Sequence, residues 1–483
     1  MIALGIDVGS TAVKASVIEV GATVTERSVV QTSTAGRDAA GLAAASLRVA
    51  ADALRRADCG PARVIGIASM AETGALTDDA GTPRGPLLRW DRDASHDRRP
   101  EWSGRLDAAA LHAATGVPLT AKLPLLTWAE VCEGRSRARW AFAADLIAVA
   151  LTGRRVTDHT LAGRSGALPL PPAGHPLRVT WDDAALAEFG IPLVFPPRIL
   201  APGEPAGTVT ASGVVALDGR VDPSALVFVA GHDHAVAAWV AGIRSPGGRV
   251  RSIGTTEAVV AVADDGVDRR RAGEQGFSVV RTVNGDHEAV LAGSPAAGSL
   301  FAQWRERALH RGGDADGLAG RTLSEPGPDA AIALPYPRGR QCPHPDASAT
   351  LRMFGVADGD VAAELHALLR GVAAHGGWML EAADDVSGPG SAPRLVGAPF
   401  RLTPRLAALA ASVAGQELEL IDLQAPVATG AAALAAVRGG EVGDLVAPTR
   451  TVGPDPLTIA DVVAHFRAAL VATGVPIDRR GAA

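Results

Sequence analysis

The pattern of apolar positions predicts two strands at the start of the chain, over residues 2–8 and 12–20, where β-branched residues are frequent. Only the Gly-Ser-Thr segment 9–11 separates them, which is the length of a hairpin turn. The same layout returns in residues 249–265, again as a strand, a Gly-Thr-Thr turn and a strand. A single Gly-Thr turn is common in β-proteins and is a weak signal by itself. Two such hairpins with hydroxyl-bearing turns, about 245 residues apart, predict two related domains that face one nucleotide.

Between the hairpins, the pattern changes from a strand to a helix. Residues 225–230 form a continuous apolar run that predicts a buried strand, and apolar residues at helical spacing then continue to Ile243. Asp233 lies at or near the first turn of that helix, where a carboxylate is favoured and its ionised form is stabilised. A plain N-cap aspartate and a functional carboxylate both fit this position.

The composition is that of an ordinary globular protein large enough for two domains. The chain has 483 residues, of which 47% are hydrophobic and 20% are charged. Its net charge of −6 gives no general attraction to nucleic acid or to an anionic membrane, so we expect neither as a partner. No apolar run reaches the roughly 18 residues that a membrane-spanning helix needs.

The termini and cysteines predict a cytoplasmic protein. The chain enters a strand pattern at once, without the basic segment and cleavage site of a signal peptide. The three cysteines, Cys59, Cys132 and Cys342, are far apart and form no CxxC or metal-ligand pattern. Widely separated cysteines of this kind are typical of a reducing compartment.

Lysine is rare in this chain. Of 46 basic residues only Lys14 and Lys122 are lysines, and the others are arginines. This bias, together with the many Ala and Gly residues, is typical of coding by GC-rich DNA. A lysine that has not been replaced by arginine despite this bias is either functional or retained by chance at a solvated position. The location of Lys14 beside the first turn favours a function, whereas Lys122 is left open.

The first hairpin carries groups that suit a phosphate site. It is neither a P-loop, which needs GxxxxGK[ST] between a strand and a helix, nor a GxGxxG dinucleotide fingerprint. Gly9 allows close approach of the backbone, and the hydroxyls of Ser10 and Thr11 add donors to the turn N–H groups. Asp7 at the strand end can hold Mg²⁺, usually through waters, and Lys14 can offset phosphate charge.

In this order, the two hairpins and the strand-to-helix segment resemble the FGGY carbohydrate kinases. The resemblance runs over nearly the whole chain and rests on the order and spacing of further segments, namely 65–90, 114–128, 145–166, 334–346, 365–380, 395–420 and 428–437. It implies an α/β fold of two ribonuclease-H-like (actin-like ATPase) domains with a cleft between them. We place these domains at 1–243 and 244–483, with a Gly- and Pro-rich linker near 243–250.

The resemblance also implies roles for matching positions, with ATP and Mg²⁺ as cofactors. Asp233 matches the general base that takes the proton from a sugar hydroxyl as it attacks the γ-phosphate, and it lies near the metal. Asp7 matches the carboxylate on the Mg²⁺ side. The positions that match the phosphate turns and the adenosine side are Gly9, Ser10, Thr11, Lys14, Gly254, Thr255, Thr256, Gly298, Gly397 and Ala398.

Three departures from the family pattern concern the nucleotide side. The usual glycine run of the adenosine motif reads Val-Gly-Ala at 396–398 and is followed by Pro399. The usual Arg-Glu-Gly reads Arg-Gly at 370–371, and an acidic residue usual before the last motif helix is replaced around Gln424. The sequence therefore predicts the residues that bind phosphate and the general base, but it leaves the identity of the nucleotide open.

Candidates for binding the acceptor are carboxylates that accept O–H hydrogen bonds and an aromatic face for C–H groups. Glu72 and Thr73 match the end of the Arg-Glu-Thr of glycerol-kinase-like members, while Ala71 lacks the arginine. The family's Trp-x-Asp-x-Arg motif reads Trp90-Asp91-Arg92-Asp93 in this chain. The sequence therefore leaves open which of the two aspartates faces the substrate. The predicted acceptor residues are Glu72, Trp90, Asp91, Asp93, His232, Asp233 and His234.

His232 and His234 flank the predicted base. Contact of one with the sugar, a solvated position near the helix cap, and a metal site are the three interpretations. The metal site is the least favoured, because a helix begins here and the sequence indicates no third ligand. Gly-His-Asp-His replaces the Gly-Asp-Asn or Gly-Asp-Gln of common xylulose and glycerol kinases. This difference suggests a less usual acceptor, such as a deoxyketose or a tetritol.

The sequence thus predicts a kinase that transfers the γ-phosphate of ATP to a hydroxyl of a small sugar or polyol, such as a ketopentose, a deoxyketose or a tetritol. The alternative is a catalytically weak member that binds nucleotide or sugar as a sensor or assembly subunit, which the altered adenosine motif allows. An actin- or chaperone-like ATPase without an acceptor is disfavoured by the resemblance over 65–166. A homodimer is compatible with the resemblance, which does not fix the oligomeric state.

Overall fold

The structure is a computed structural model of the chain. It describes residues 1–21, 23–92, 103–132, 138–310, 314–440, 442–443, 445–457 and 461–475. Strands of the first half are β1 (Ile2–Val8), β2 (Ala12–Val20), β3 (Val24–Ser33), β4 (Ala62–Ser69), β5 (Gly74–Thr77), β6 (Arg139–Phe142), β7 (Val156–Asp158), β8 (Arg198–Leu200), β9 (Gly207–Thr208) and β10 (Val221–His232). Strands of the second half are β11 (Arg249–Ile253), β12 (Glu257–Val262), β13 (Ser278–Arg281), β14 (Glu288–Ser294), β15 (Ile332–Leu334), β16 (Arg352–Phe354), β17 (Arg394–Val396), β18 (Leu418–Ile421) and β19 (Thr449–Val452).

Helices lie between and around these strands. In the first half they are α1 (Ala39–Ala57), α2 (Ala108–Thr115), α3 (Pro124–Cys132), α4 (Ala143–Thr152), α5 (His159–Ala162), α6 (Asp183–Glu188), α7 (Ala211–Ala216) and α8 (Asp233–Val240). In the second half they are α9 (Arg269–Glu274), α10 (Gly298–His310), α11 (Ala315–Ser324), α12 (Val361–Ser387), α13 (Ala398–Leu402), α14 (Pro404–Ala414), α15 (Pro426–Arg438) and α16 (Val462–Ala472). None of the described helices is long and apolar enough to cross a membrane.

The strands form two large sheets with the same core topology. Their strand orders are β3-β2-β1-β4-β10-β9 and β13-β14-β12-β11-β17-β18-β19. Each sheet contains five neighbouring strands in which two antiparallel pairings are followed by two parallel pairings, namely β3-β2-β1-β4-β10 and β14-β12-β11-β17-β18. The first sheet uses strands from residues 2–232 and the second from residues 249–452, on either side of the predicted boundary at 243/244.

Helices cover both faces of the first sheet. Helices α1 and α4 pack on one face, and α8 and α15 pack on the other. Because both faces are covered, β1 and β4 are apolar and buried along almost their whole length. In the second sheet, the long helix α12 packs on β12 and β14. The hairpin turns lie at the ends of these buried strands, so packed layers fix their positions.

Helix α15 belongs to the second half of the chain but packs on the first sheet. Glycines in β1 and β4 make this contact possible, because a Cβ added at Gly5 would lie 1.8 Å from the carbonyl oxygen of Ala428. A Cβ at Gly66 would lie 1.9 Å from the carbonyl oxygen of Ala431. The two predicted domains therefore share this helix as a packing element, and the boundary at residue 243 stays a prediction.

The N-terminus of α15 is capped from the first sheet. Glu26 on β3 accepts hydrogen bonds from the backbone N–H groups of Gln424 at 2.7 Å and Ala425 at 3.0 Å, and from the hydroxyl of Thr429 at 2.6 Å. A carboxylate at this position satisfies free N–H groups and the positive end of the helix dipole. The acidic residue missing around Gln424 is thus supplied by a residue 398 positions away in the sequence.

We expect Glu26→Ala to lower the free energy of unfolding by about 1–2 kcal/mol, because the variant leaves the first turn of α15 without its cap. Urea unfolding followed by tryptophan fluorescence measures this loss. The matched control is Glu19→Ala on the adjacent strand β2, whose ion pair with Arg27 is about half exposed. Such a pair contributes at most about 1 kcal/mol. Equal, small losses in both variants would contradict the capping role.

The predicted element bounds hold for the hairpins and shift elsewhere. The predicted strand at 225–230 is longer, since β10 runs from Val221 to His232. The helix predicted to continue to Ile243 ends at Val240. The apolar periodicity of residues 455–474 also predicts a helix, and the last helix among the described residues begins later, at Val462, with Asp461 as its N-cap, because the Asp461 side chain accepts a hydrogen bond from the backbone N–H of Ala464.

Candidate active site

The two hairpin turns meet. The hydroxyl oxygens of Thr11 and Thr255 lie 3.1 Å apart, although 244 positions separate them in the sequence. Each turn is closed by its own backbone hydrogen bond, from the N–H of Gly9 to the carbonyl of Ala12 at 3.0 Å and from that of Gly254 to Thr256 at 2.8 Å. The predicted phosphate turns therefore face each other in one place.

The predicted adenosine-side glycines pack directly behind the second turn. A Cβ at Gly298, the first residue of α10, would lie 2.0 Å from the carbonyl oxygen of Gly254. Gly397 has a φ of 119°, and a Cβ there would lie 2.0 Å from the carbonyl oxygen of Ile253. Ala398 then begins the short helix α13. Only glycine permits this close approach of three backbone segments.

Asp7 is a buried carboxylate with an unsatisfied oxygen. It lies on β1 opposite Lys14 on β2, and its side-chain atom Oδ1 has no hydrogen-bond partner among the described residues. Burial raises the pKa of Asp7 to about 7; Lys14 lowers this pKa and Asp233 raises it. A buried oxygen without a partner, close to a second carboxylate, is a chemical environment that suits a divalent cation.

A strand-to-helix corner positions Asp233. The pairing of β10 with β4 is irregular between Val229 and Gly231, and Gly231 has a φ of 123°. A Cβ at Gly231 would lie 2.3 Å from the hydroxyl of Thr160, which accepts a hydrogen bond from the N–H of His232 at 2.8 Å. Such an irregularity at the end of a strand redirects the following side chains. Asp233 is consequently the first residue of α8.

Both neighbouring histidines contact the Asp233 carboxylate. The atom Oδ1 accepts the backbone N–H of His234 at 2.7 Å and lies 3.1 Å from Nε2 of His232. Burial opposes ionisation, but the two histidines outweigh it and lower the pKa of Asp233 to about 2. The carboxylate is therefore ionised at neutral pH, when it can act as a proton acceptor.

His232, Asp233 and His234 form a compact cluster. One ligand atom from each side chain lies within 4.8 Å of the others, and no other group of this kind occurs in the part of the chain that the structure describes. The third ligand that the sequence did not indicate is Asp233 itself. Nδ1 of His234 also lies 3.2 Å from the hydroxyl of Ser252, and burial lowers the pKa of His234.

Glu72 is bound by an arginine that sequence reasoning missed. Nε and Nη2 of Arg164 donate to Oε1 of Glu72 at 3.0 and 2.7 Å. Burial alone raises the pKa of Glu72, but the charges of Arg164 and Lys122 outweigh it and lower the pKa. Arg164 follows α5 and supplies the guanidinium that Ala71 lacks. Its only sequence signal was its place inside the segment 145–166.

Lys122 lies at the same site. Its Nζ is 5.6 Å from the centre of the Trp90 ring and donates to Oε1 of Gln341 at 3.2 Å. Trp90 is held in turn by a hydrogen bond from its backbone N–H to the hydroxyl of Thr73 at 3.1 Å. Lys122, one of the two lysines of the chain, therefore enters the candidate site. Gln341 joins it, and its only sequence signal was its place inside the segment 334–346.

One cavity collects most of the predicted acceptor residues. It is lined by side chains that include Glu72, Trp90, Lys122, Arg164, His232, Asp233 and His234, with Ser10 and Thr256 from the two turns. Asp91 does not line it, because Arg89 holds its carboxylate with contacts of 2.8 and 3.0 Å. The same Arg89 donates to the carbonyl of Ser10 at 3.0 Å. Asp93 lies outside the described residues.

Comparisons with known proteins bear on the fold and the family of this chain. Residues 2–239 match the model of the FGGY family of carbohydrate kinases, N-terminal domain. Three solved structures share the fold: a xylulose kinase from Rhodospirillum rubrum (21% identity, TM-score 0.78), a gluconate kinase from Lactobacillus acidophilus (18%, 0.79) and a Plasmodium falciparum glycerol kinase with ADP (15%, 0.79). The matches cover 98%, 98% and 99% of this chain and 99% of each of those chains. No curated protein matches the sequence.

These matches confirm the predicted fold and the predicted family. The structural likeness extends over both sheets, so the duplicated topology is that of the two ribonuclease-H-like domains of these kinases. The family model covers the segment that contains Asp7, the first turn and Asp233. The chain belongs to the FGGY family of carbohydrate kinases.

Proposed function

We propose that this protein transfers the γ-phosphoryl group of ATP to a hydroxyl of a small sugar or polyol. The observation that carries the proposal is the meeting of the two hydroxyl turns, with Thr11 and Thr255 3.1 Å apart, at the cavity that contains Asp233. The structural neighbours named as xylulose, gluconate and glycerol kinases act on acceptors of this size. The cytoplasmic location and a homodimer remain predictions.

The turns suit the phosphates of ATP. Their backbone N–H groups and the hydroxyls of Ser10, Thr11 and Thr255 are donors, and Lys14 is a cation beside them. Asp7 and Asp233 would hold Mg²⁺, which neutralises charge on the transferring phosphoryl group when it is bound. The glycines behind the second turn leave room for the backbone to approach the nucleotide.

Asp233 would act as the general base. Phosphoryl transfer depends mostly on position and on charge neutralisation, so a weakly basic carboxylate is sufficient to accept the proton of the attacking hydroxyl. The contacts with His232 and His234 fix the carboxylate in one orientation and keep it ionised. Because the Asp233 carboxylate is already fixed in place, less entropy is lost when the sugar hydroxyl is oriented toward the phosphorus.

Glu72 would orient the acceptor. Its Oε1 is occupied by Arg164, whereas Oε2 has no partner among the described residues and can accept a sugar hydroxyl. Trp90 supplies an apolar surface for the C–H groups of the sugar. Glu72 has a φ of 56°, so the backbone itself is held in an unusual conformation at this point.

The test is ADP release from MgATP with a panel of ketopentoses, 6-deoxyketoses, tetritols, glycerol and gluconate. We expect turnover that depends on one acceptor or a few related acceptors. Binding of nucleotide or sugar without turnover on any acceptor would favour the sensor or assembly subunit instead. ATP hydrolysis that does not depend on an acceptor would favour an ATPase without a sugar substrate.

We expect Lys14→Ala to raise the KM for ATP roughly tenfold, because the variant removes the cation beside the phosphate turn. The KM for the acceptor should change by less than about twofold, since Lys14 does not line the acceptor cavity. Steady-state kinetics with each substrate varied in turn measure both values. An unchanged KM for ATP would exclude Lys14 from the phosphate site.

A further inference from the structure

Three consecutive side chains at the start of α8 bring metal-ligand atoms together. Nε2 of His232 lies 3.1 Å from Oδ1 of Asp233, and Nε2 of His234 lies 4.0 Å from the same oxygen. One ligand atom from each residue lies within 4.8 Å of the other two. In a tetrahedral Zn²⁺ site, metal bonds of about 2.0–2.2 Å separate the ligand atoms by about 3.3–3.6 Å. The two distances to Oδ1 lie on either side of that spacing.

Ser252 on β11 orients the ring of His234. The Ser252 hydroxyl donates to the carbonyl of Ala258 at 3.4 Å and lies 3.2 Å from Nδ1 of His234. Because the hydroxyl proton is used in this way, the hydroxyl oxygen accepts from Nδ1, and Nε2 of the neutral ring carries a free lone pair. Metal-bound histidines usually donate their other ring N–H to a nearby oxygen in the same manner. His234 is therefore oriented as a metal ligand.

No lysine or arginine neutralises the Asp233 carboxylate. Within the described ranges, its ion pairs are those with His232 and His234 alone. Lys122 and Arg164 line the same cavity, but the hydrogen bonds of Lys122 and Arg164 go to Gln341 and Glu72. A cation bound between the two imidazoles would supply the charge that the Asp233 carboxylate lacks.

We propose that His232, Asp233 and His234 bind a divalent transition-metal ion such as Zn²⁺, and that this ion inhibits phosphoryl transfer. Two imidazole nitrogens and one carboxylate oxygen suit Zn²⁺, whereas Mg²⁺ prefers oxygen ligands. Water in the acceptor cavity can supply the fourth ligand. The ion would share Asp233 with the Mg²⁺ proposed above, but it needs no nucleotide in order to bind.

Inhibition follows from the role of Asp233 as the proposed base. His232 coordinates in the tautomer with its proton on Nδ1, so the ion replaces the contact between Nε2 and the carboxylate. The carboxylate then shares its charge with a dication, and its affinity for the proton of the attacking hydroxyl falls. This part of the inference rests on the proposed function, whereas binding of the ion does not.

Binding is tested on the full chain without nucleotide, after metals have been removed with EDTA. Calorimetry with ZnCl₂ measures the Kd, and the visible absorption of Co²⁺ reports nitrogen ligands and a low coordination number. We expect one Zn²⁺ per chain in the wild type. His232→Gln and His234→Gln should each raise the Kd at least about tenfold, since losing a residue that merely supports a ligand already costs about 10–100-fold.

His287→Gln is the matched control. His287 also follows an aspartate, with Nε2 4.0 Å from Oδ2 of Asp286, but this pair has no third ligand among the described residues. Its Kd for Zn²⁺ should equal that of the wild type. A wild type that binds no Zn²⁺, or that binds it no more tightly than the two cluster variants, would overturn the metal site.

Inhibition is measured with saturating MgATP on the acceptor identified by the panel, with free Zn²⁺ set by a chelator buffer. At about ten times the Kd, kcat of the wild type and of His287→Gln should fall about tenfold, in line with the occupancy of the site. The KM for ATP should not change. A kcat that is unaffected when the site is occupied would overturn the inhibitory role. Turnover on no acceptor would count against the kinase alone, because the binding measurements decide on the metal site separately.

Discussion

Asp233→Asn should lower kcat by about 10²–10⁴-fold, which is the usual cost of removing a general base. Asparagine has the same size as aspartate and can still accept the N–H of His234, so the corner between β10 and α8 should persist. It cannot take the hydroxyl proton. Steady-state kinetics on the acceptor identified by the panel measure the loss. Calorimetry with ATP in the absence of Mg²⁺ should give a Kd within about threefold of the wild-type value, because Asp233 would contact the nucleotide only through the metal.

The control for this experiment is Asp182→Asn. Asp182 is also an aspartate at the start of a helix, where its side chain accepts the N–H groups of Ala184 and Ala185. It does not line the cavity of the candidate site. Its kcat should equal that of the wild type. An Asp233→Asn enzyme that kept more than about a tenth of its activity would remove Asp233 as the base.

Local patterns predicted the parts of the site that lie within one segment. The sequence correctly predicted the two strands that flank the first turn and the helix that begins at Asp233. Each of these elements is determined by residues that are neighbours in the sequence. The two similar hairpins together predicted two related domains that face one nucleotide, and the family resemblance added the roles of the individual residues. The roles of the individual site residues stay predictions until variants are measured.

Contacts between residues that are far apart in the sequence could not be predicted from it. Arg164 binds Glu72 from 92 positions away, and Glu26 caps α15 from 398 positions away, with no periodicity that connects either pair. Asp91 was a reasonable candidate by type, but its ion pair with Arg89 depends on a side-chain conformation that a sequence does not specify. Charged side chains in this fold often find partners across elements, where pattern analysis has no signal.

A buried ion pair joins the two strands that flank the second phosphate turn. Arg251 and Glu257 lie on the two strands of the β11–β12 hairpin and are bonded to each other with side chains only 2% and 1% exposed. Arg251 also donates to the carbonyls of Ala373 at 3.0 Å and Val372 at 2.6 Å on α12. Glycine at 376 leaves space for the guanidinium, since a Cβ there would lie 2.0 Å from its Cζ.

Arg251→Met should lower the free energy of unfolding by about 3–5 kcal/mol, because it leaves the Glu257 carboxylate buried without a partner. The double variant Arg251→Met/Glu257→Leu should recover most of this loss, since replacing both partners by apolar groups is often nearly neutral. Urea unfolding measures both. The exposed pair of Arg270 and Glu274 is the control, and Arg270→Met should cost at most about 1 kcal/mol.

The pH dependence separates this explanation from a packing defect. Burial already raises the pKa of Glu257 above its usual 4.5 against the opposing charge of Arg251, and removal of that charge should raise the pKa further. A carboxyl group with a raised folded-state pKa penalises folding above that pKa, and the penalty disappears as the pH falls to the unfolded value. The deficit of Arg251→Met should therefore shrink toward pH 4.5, the ordinary pKa of a glutamate. A deficit that is constant with pH, or a double variant as unstable as the single one, would show that Arg251 acts through its shape and its bonds to α12 instead of its charge.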